Sequence, residues 1–204
     1  MPGGQRTPPA RTRHDSDVFE PPLEVPPGYP REMEVRLELD DGRHVFVRPV
    51  VPDDANELRR AIARADPQTI RRRFLGGRPP HSDTEIERLV TVDYDRRLAL
   101  VAFDQQGRGI AVTRYEGSAG SDEAEVAVAV DPAWRHVGLA SALIGLLGQA
   151  AVDRGIRRFA AAFYADNVDV TDLIAHMHVR GHREIHQGVV EESLSLVETA
   201  DPPE

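Results

Sequence analysis

Ala124-Glu125-Val126-Ala127-Val128-Ala129-Val130-Asp131-Pro132-Ala133-Trp134-Arg135-His136-Val137-Gly138-Leu139-Ala140 runs from an apolar β-type stretch through a proline-containing turn directly into a helix start. Leu139, Leu143, Leu146, Leu147 and Ala150 recur at helical spacing, so the pattern predicts an amphipathic helix from Gly138 to about Asp153, packed on a sheet. The first N–H groups of such a helix have no intrahelical partner, and with the helix dipole they suit a pyrophosphate without any lysine. Gly138 lets the backbone approach closely, Ala140 is small, and Arg135 adds a positive charge.

Moving outward, Phe159 to Tyr164 reads as a strand, Val168 to Val179 as a helix ended by Gly181, and Gln187-Gly188 as the turn of a terminal hairpin. Upstream, Arg97 to Phe103 and Ile110 to Tyr115 form a hairpin about Gln105-Gln106-Gly107. A further hairpin joins Met33 to Leu39 with His44 to Val50 through Asp40-Asp41-Gly42. Between these hairpins the period changes to helical. Asp53 or Asp54 caps a helix through about Arg64, Pro67 opens a second, and Ser82 with Glu85 makes a capping box for a third. The order is α/β of the α+β kind, with antiparallel strands dominating.

The chain has 204 residues and 40% hydrophobic content, enough for one core, expected over residues 33–197. Eight of the 16 prolines precede residue 31, so residues 1–32 are expected to be a disordered tail and 198–204 to fray. No apolar run long enough for a membrane span and no secretory leader is seen, which predicts a cytoplasmic protein without a membrane partner. A formal charge of −9 disfavours nucleic acid and suits a cationic partner. All 25 basic residues are arginine, so the chain offers no lysine of its own to acylation. Cysteine is also absent, which excludes thiolate nucleophiles and Cys-type zinc sites. His176, His178, His182 and His186 lack a metal-ligand spacing, and no metal is expected.

Arg135 to Ala140 fits the [Arg/Gln]-x-x-Gly-x-[Gly/Ala] pattern with which GNAT acetyltransferases bind the CoA pyrophosphate, and the chain resembles that superfamily from about Arg48 to the terminal hairpin. The resemblance implies a mostly antiparallel twisted sheet flanked by helices, with acetyl-CoA in the splay between central strands. It implies cofactor contacts from Val128 and Val130, from the turn residues Arg135, His136, Val137, Gly138, Leu139, Ala140 and Ser141, and from Asn167 before the next helix. Within the superfamily, Arg72-Arg73-Phe74 and Val92-Asp93-Tyr94-Asp95-Arg96-Arg97-Leu98-Ala99-Leu100-Val101-Ala102 look like Pat-type protein lysine acetyltransferase domains, which acetylate acyl-CoA synthetases.

In those enzymes a glutamate on the strand before the turn is the general base, a position matched here by Glu125, with Glu123 the nearest competitor. A partly buried carboxylate there suits removal of a proton from an ammonium acceptor. The resemblance gives Arg73 and Phe74 a part in the acceptor pocket. The tyrosine that many relatives use as general acid is replaced by Ile174 and Ala175, leaving that role unassigned. The expected activity is acetyl-CoA-dependent N-acetylation of protein lysine. The alternatives are a small-molecule amine acetyltransferase, or a CoA-sensing module without catalysis, since His136 and Val137 depart from the usual turn.

Overall fold

The computed structural model describes residues 24–177 and 181–197. Its strands are β1 (Val35–Glu38), β2 (His44–Pro49), β3 (Arg97–Phe103), β4 (Gly109–Gly117), β5 (Glu123–Val130), β6 (Arg158–Tyr164), β7 (Gly181–His186) and β8 (Val189–Ser195). Its helices are α1 (Ala55–Arg64), α2 (Pro67–Arg73), α3 (Asp83–Val90), α4 (Leu139–Asp153) and α5 (Val168–Met177). One sheet holds all eight strands in the order β1-β2-β3-β4-β5-β6-β8-β7, and its one parallel pair is β5 with β6.

That pair is short. Glu123, Ala124 and Glu125 stand beside Arg158, Phe159 and Ala160, and there the ladder ends. Beyond it β5 stays with β4 through Val130, while β6 follows β8 through Tyr164. Each strand keeps one partner, so the middle of the sheet opens as a V with Glu125 on its last rung.

Strand alternation gives the sheet two faces. Leu98, Leu100, Tyr115 and Ala124 pack with Leu139, Leu143, Leu147 and Ala151 of α4 in the main core. Ala99 lies on the other face with Val50 and Val90 in a smaller cluster. There Glu57 on α1 accepts from the Gly109 N–H at 2.9 Å, and the Arg48 guanidinium holds the Asp54 carboxylate through bonds of 2.7 and 2.8 Å. The expected capping box forms, with the Ser82 N–H donating to Glu85 at 3.0 Å and the Glu85 N–H to Ser82 at 3.3 Å.

The packed chain begins upstream of residue 33. Tyr29 is buried and meets Tyr94 edge to face at 5.6 Å, and a 3-10 turn covers Arg31–Met33. Residues 24–32 therefore do not follow the disordered-tail expectation, because one aromatic among the prolines has core surface to cover. Residues 1–23 and 198–204, and the expected continuation of α5 to Val179, lie outside the described residues. Among the described residues no helix is long and apolar enough to cross a membrane.

Candidate active site

The turn after β5 is built from its own side chains. Asp131 accepts from the Ala133 N–H at 3.0 Å and starts a 3-10 turn over Pro132–Trp134. Trp134 is buried beneath the Arg43 guanidinium, 4.0 Å from the ring centroid, and Arg43 also donates to the Ala133 carbonyl at 3.0 Å. Gly138 takes φ +79° as the residue before α4, a conformation that favours glycine. A Cβ there would lie 2.8 Å from Asp40 Oδ2, so the Asp40 carboxylate would have to move aside. The first helical bond runs from the Ala142 N–H to the Gly138 carbonyl, and no side chain caps the N–H groups before it.

A cavity of about 470 Å³ joins this turn to the V. Val128, Val130, Arg135, His136, Gly138, Leu139, Ala140, Ser141 and Asn167 all line it, as do Glu125 and Arg73. The Asp131 N–H donates to the Ile110 carbonyl at 2.8 Å, so alternation turns the backbone groups of Ala129 and Ala127 to β4 and those of Val128 and Val130 to the open side. Arg135 reaches back across the opening, donating to the Val130 carbonyl at 3.2 Å and to the Thr69 hydroxyl of α2 at 2.7 Å. Asn167 is 5% exposed, and its amide oxygen has no hydrogen-bond partner among the described residues. A buried orphan acceptor facing a cleft with free strand and helix N–H groups fits an amide-rich chain ending in a diphosphate.

Two expected contacts lie elsewhere. Val137 packs against the main core and its carbonyl accepts from the Asp40 N–H at 3.3 Å, so it does not line the cleft. Phe74 lines a separate apolar cavity under α1, α2 and α3, while Arg73 borders both spaces. Burial lowers the Arg73 pKa, opposed by the carboxylates of Glu125 and Glu116. Glu125 is exposed rather than partly buried, because it projects where the strands part. Glu123, its competitor, is tied to Arg158 at 3.3 Å and Ser193 at 3.1 Å. Ile174 is buried in the cleft wall and supplies no proton donor.

Asp40, Thr69 and Asp169 also line the cleft and were not expected from sequence. Asp169 accepts from Arg72 at 2.8 Å and lies 3.7 Å from His136 Nε2, joining α2 to α5 across the opening. Asp40 arrives through the first hairpin, a contact with no local sequence signal. Among the described residues no group of three or more His, Asp or Glu side chains could hold a metal ion.

Residues 66–178 match the family model described as the acetyltransferase (GNAT) family, more than half of the chain. The chain belongs to the GNAT acetyltransferase family. An acetyltransferase of Pseudomonas aeruginosa is 31% identical over 149 residues, covering 72% of this chain and 80% of that protein. The crystal structure of the GNAT domain of S. lividans Pat superposes with a TM-score of 0.76 at 31% identity, covering 82% of this chain and 99% of that domain. Acetyltransferase Pat of Mycolicibacterium smegmatis is 28% identical over 78% of this chain, which spans 52% of that longer protein. As a GNAT enzyme the chain is an acyltransferase that uses acetyl-CoA, and the V-shaped opening of the sheet is the expected GNAT architecture.

Proposed function

We propose that this GNAT enzyme transfers the acetyl group to lysine side chains of proteins, acyl-CoA synthetases among them, with Glu125 as general base. The observation that carries the reading is the position of Glu125 on the last rung before β5 and β6 separate, beside the open Val128 backbone. Acetyl-CoA supplies the acyl group as an activated thioester.

The residues of the chain divide the remaining work. The N–H groups that open α4 hold the diphosphate, helped by Arg135 once it leaves Thr69, and the Asn167 amide oxygen accepts from the pantetheine arm. The Val128 N–H donates to the thioester carbonyl oxygen, where negative charge develops. Glu125 takes a proton from the incoming ammonium, directly or through one water, and the freed amine attacks the carbonyl carbon. The N–C bond forms, the C–S bond breaks, and CoA leaves as thiolate or thiol. Ile174 and Ala175, which replace the usual tyrosine, donate no proton, and the thiolate is stable enough near neutral pH to leave without one. Similarity to the Pat proteins and the exposed Glu125 carboxylate at the opening support a cationic acceptor.

The test is incubation of the protein with acetyl-CoA and a lysine-bearing acyl-CoA synthetase, following CoA release and the acceptor's mass. Acetylated lysine on the synthetase, lost with Glu125→Gln, is expected. Acetylation of free small amines with no protein product contradicts the acceptor assignment.

A further inference from the structure

The apolar cavity beneath α1, α2 and α3 has a volume of about 170 Å³ and takes no part in the chemistry above. Its walls include Leu58 and Ile62 of α1, Ile70 of α2, Val101 of β3, Val112 of β4 and Ala129 of β5. Thr69, Arg73 and Ala129 border both this chamber and the cleft. The partition between them is thin, because Ala129 contributes only a methyl group and α2 buries none of its residues.

The register fixes what a group entering from the cleft meets. Arg114 stands beside Ala127 and Val112 beside Ala129. A chain passing Glu125 and turning onto this face therefore meets Arg73 and Arg114 first and the aliphatic walls beyond. The other charged groups around the chamber are engaged: Asp54 with Arg48 at 2.7 Å, Glu57 with Arg60 at 2.8 Å and Arg64 at 3.0 Å, and Asp131 with the Ala133 N–H at 3.0 Å, while Arg114 lies 2.9 Å from Glu116 and its Nε has no hydrogen-bond partner among the described residues. Such walls suit neither an ammonium nor a terminal carboxylate deep inside. An apolar protein cavity of about 150 Å³ accepts benzene, so this chamber has room for about six carbon atoms.

We infer that the chamber receives the tail of straight-chain acyl groups of about four to six carbons, so that butyryl-CoA and hexanoyl-CoA are donors alongside acetyl-CoA. The inference rests on the reading of the cleft as the acyl-CoA site. The reaction is otherwise unchanged: the acceptor N–C bond forms, the C–S bond breaks, the ammonium proton passes to Glu125, and CoA is released. Ala61 of α1 and Ala65, the residue after that helix, leave the space that the tail fills.

Calorimetric titration of the full chain with acetyl-, butyryl-, hexanoyl-, decanoyl- and glutaryl-CoA tests this. Each buried methylene strengthens binding by up to roughly fourfold, so hexanoyl-CoA is expected to bind at least about tenfold more tightly than acetyl-CoA. Decanoyl-CoA, too long for the chamber, should show no further gain. Ala61→Leu with Ala65→Leu should remove the hexanoyl advantage and leave acetyl-CoA affinity within about twofold, with a thermal melt to verify folding. Equal or weaker binding of hexanoyl-CoA by the unaltered protein overturns the inference, as does tighter binding of glutaryl-CoA, which would assign the arginines to an acidic donor. A filled variant whose only defect is a raised KM for the acceptor would give the chamber to the acceptor instead. Acetyl-CoA binding with no gain on lengthening sinks this inference alone; no binding by any donor sinks the cleft assignment with it.

Discussion

Helix α4 and the pair α1 and α2 lie on opposite faces of one sheet and meet it in different ways. On α4, Leu143, Leu147 and Ala151 are fully buried, and Leu139, Ile144 and Ala150 nearly so. Neither α1 nor α2 has a buried residue. The sequences explain the contrast: Leu139-Ala140-Ser141-Ala142-Leu143-Ile144 puts bulky aliphatics on the sheet, whereas Ala55-Asn56-Glu57-Leu58-Arg59-Arg60-Ala61-Ile62-Ala63-Arg64 offers small alanines between charged residues. On the second face, ion pairs from Arg48 and Glu57 stand beside the small Val50, Val90 and Ala99 cluster. A close-packed face fixes the backbone that must not move, and an under-filled face leaves room for a ligand.

The contrast breaks most visibly through stability. Leu143→Ala should destabilise by about 3 to 5 kcal/mol in urea unfolding, while Ile62→Ala, which borders space already empty, should cost less than about 1.5 kcal/mol. Equal losses would mean that both faces are packed alike.

A middle-sized effect is expected at the turn where the rigid face meets the cleft. Gly138→Ala forces a non-glycine residue to positive φ and pushes on Asp40, so a cost of roughly 1 to 3 kcal/mol is expected, together with weaker acetyl-CoA binding by calorimetry. An unchanged affinity would detach the turn from cofactor binding.

The smallest effect belongs to α2. Asp66 caps it, accepting from the Gln68 and Thr69 N–H groups and the Thr69 hydroxyl, and those bonds lower its pKa. A carboxylate depressed in the folded state contributes stability above its unfolded pKa of about 4 and loses it as pH falls through the folded value. Asp66→Ala should therefore cost about 1 kcal/mol at pH 7, with the difference from the unaltered protein shrinking below about pH 4. A difference that persists in acid would point to another cause.

Much of this contrast was legible in the sequence. The 3.6-residue repeat of leucines announced α4, and Ser82 with Glu85 announced the start of α3, because both signals are local. Gly42 at φ +80° sits in the expected hairpin turn. The length of the β5 and β6 ladder was not legible, since the choice to part after Glu125 is made by β4 and β8 on either side. For the same reason Glu125 was expected partly buried and is exposed. Asp40 reached the α4 turn, and Phe74 the chamber rather than the cleft, through tertiary contacts that no local pattern encodes.

The proposed mechanism requires Glu125 to act in chemistry and not in binding. The most direct measurement is turnover of Glu125→Gln at saturating acetyl-CoA, set beside its acetyl-CoA dissociation constant. A loss of roughly 100-fold or more in kcat with affinity within about twofold of the unaltered protein is the predicted result. Near-full turnover, or a parallel loss of affinity, would contradict it.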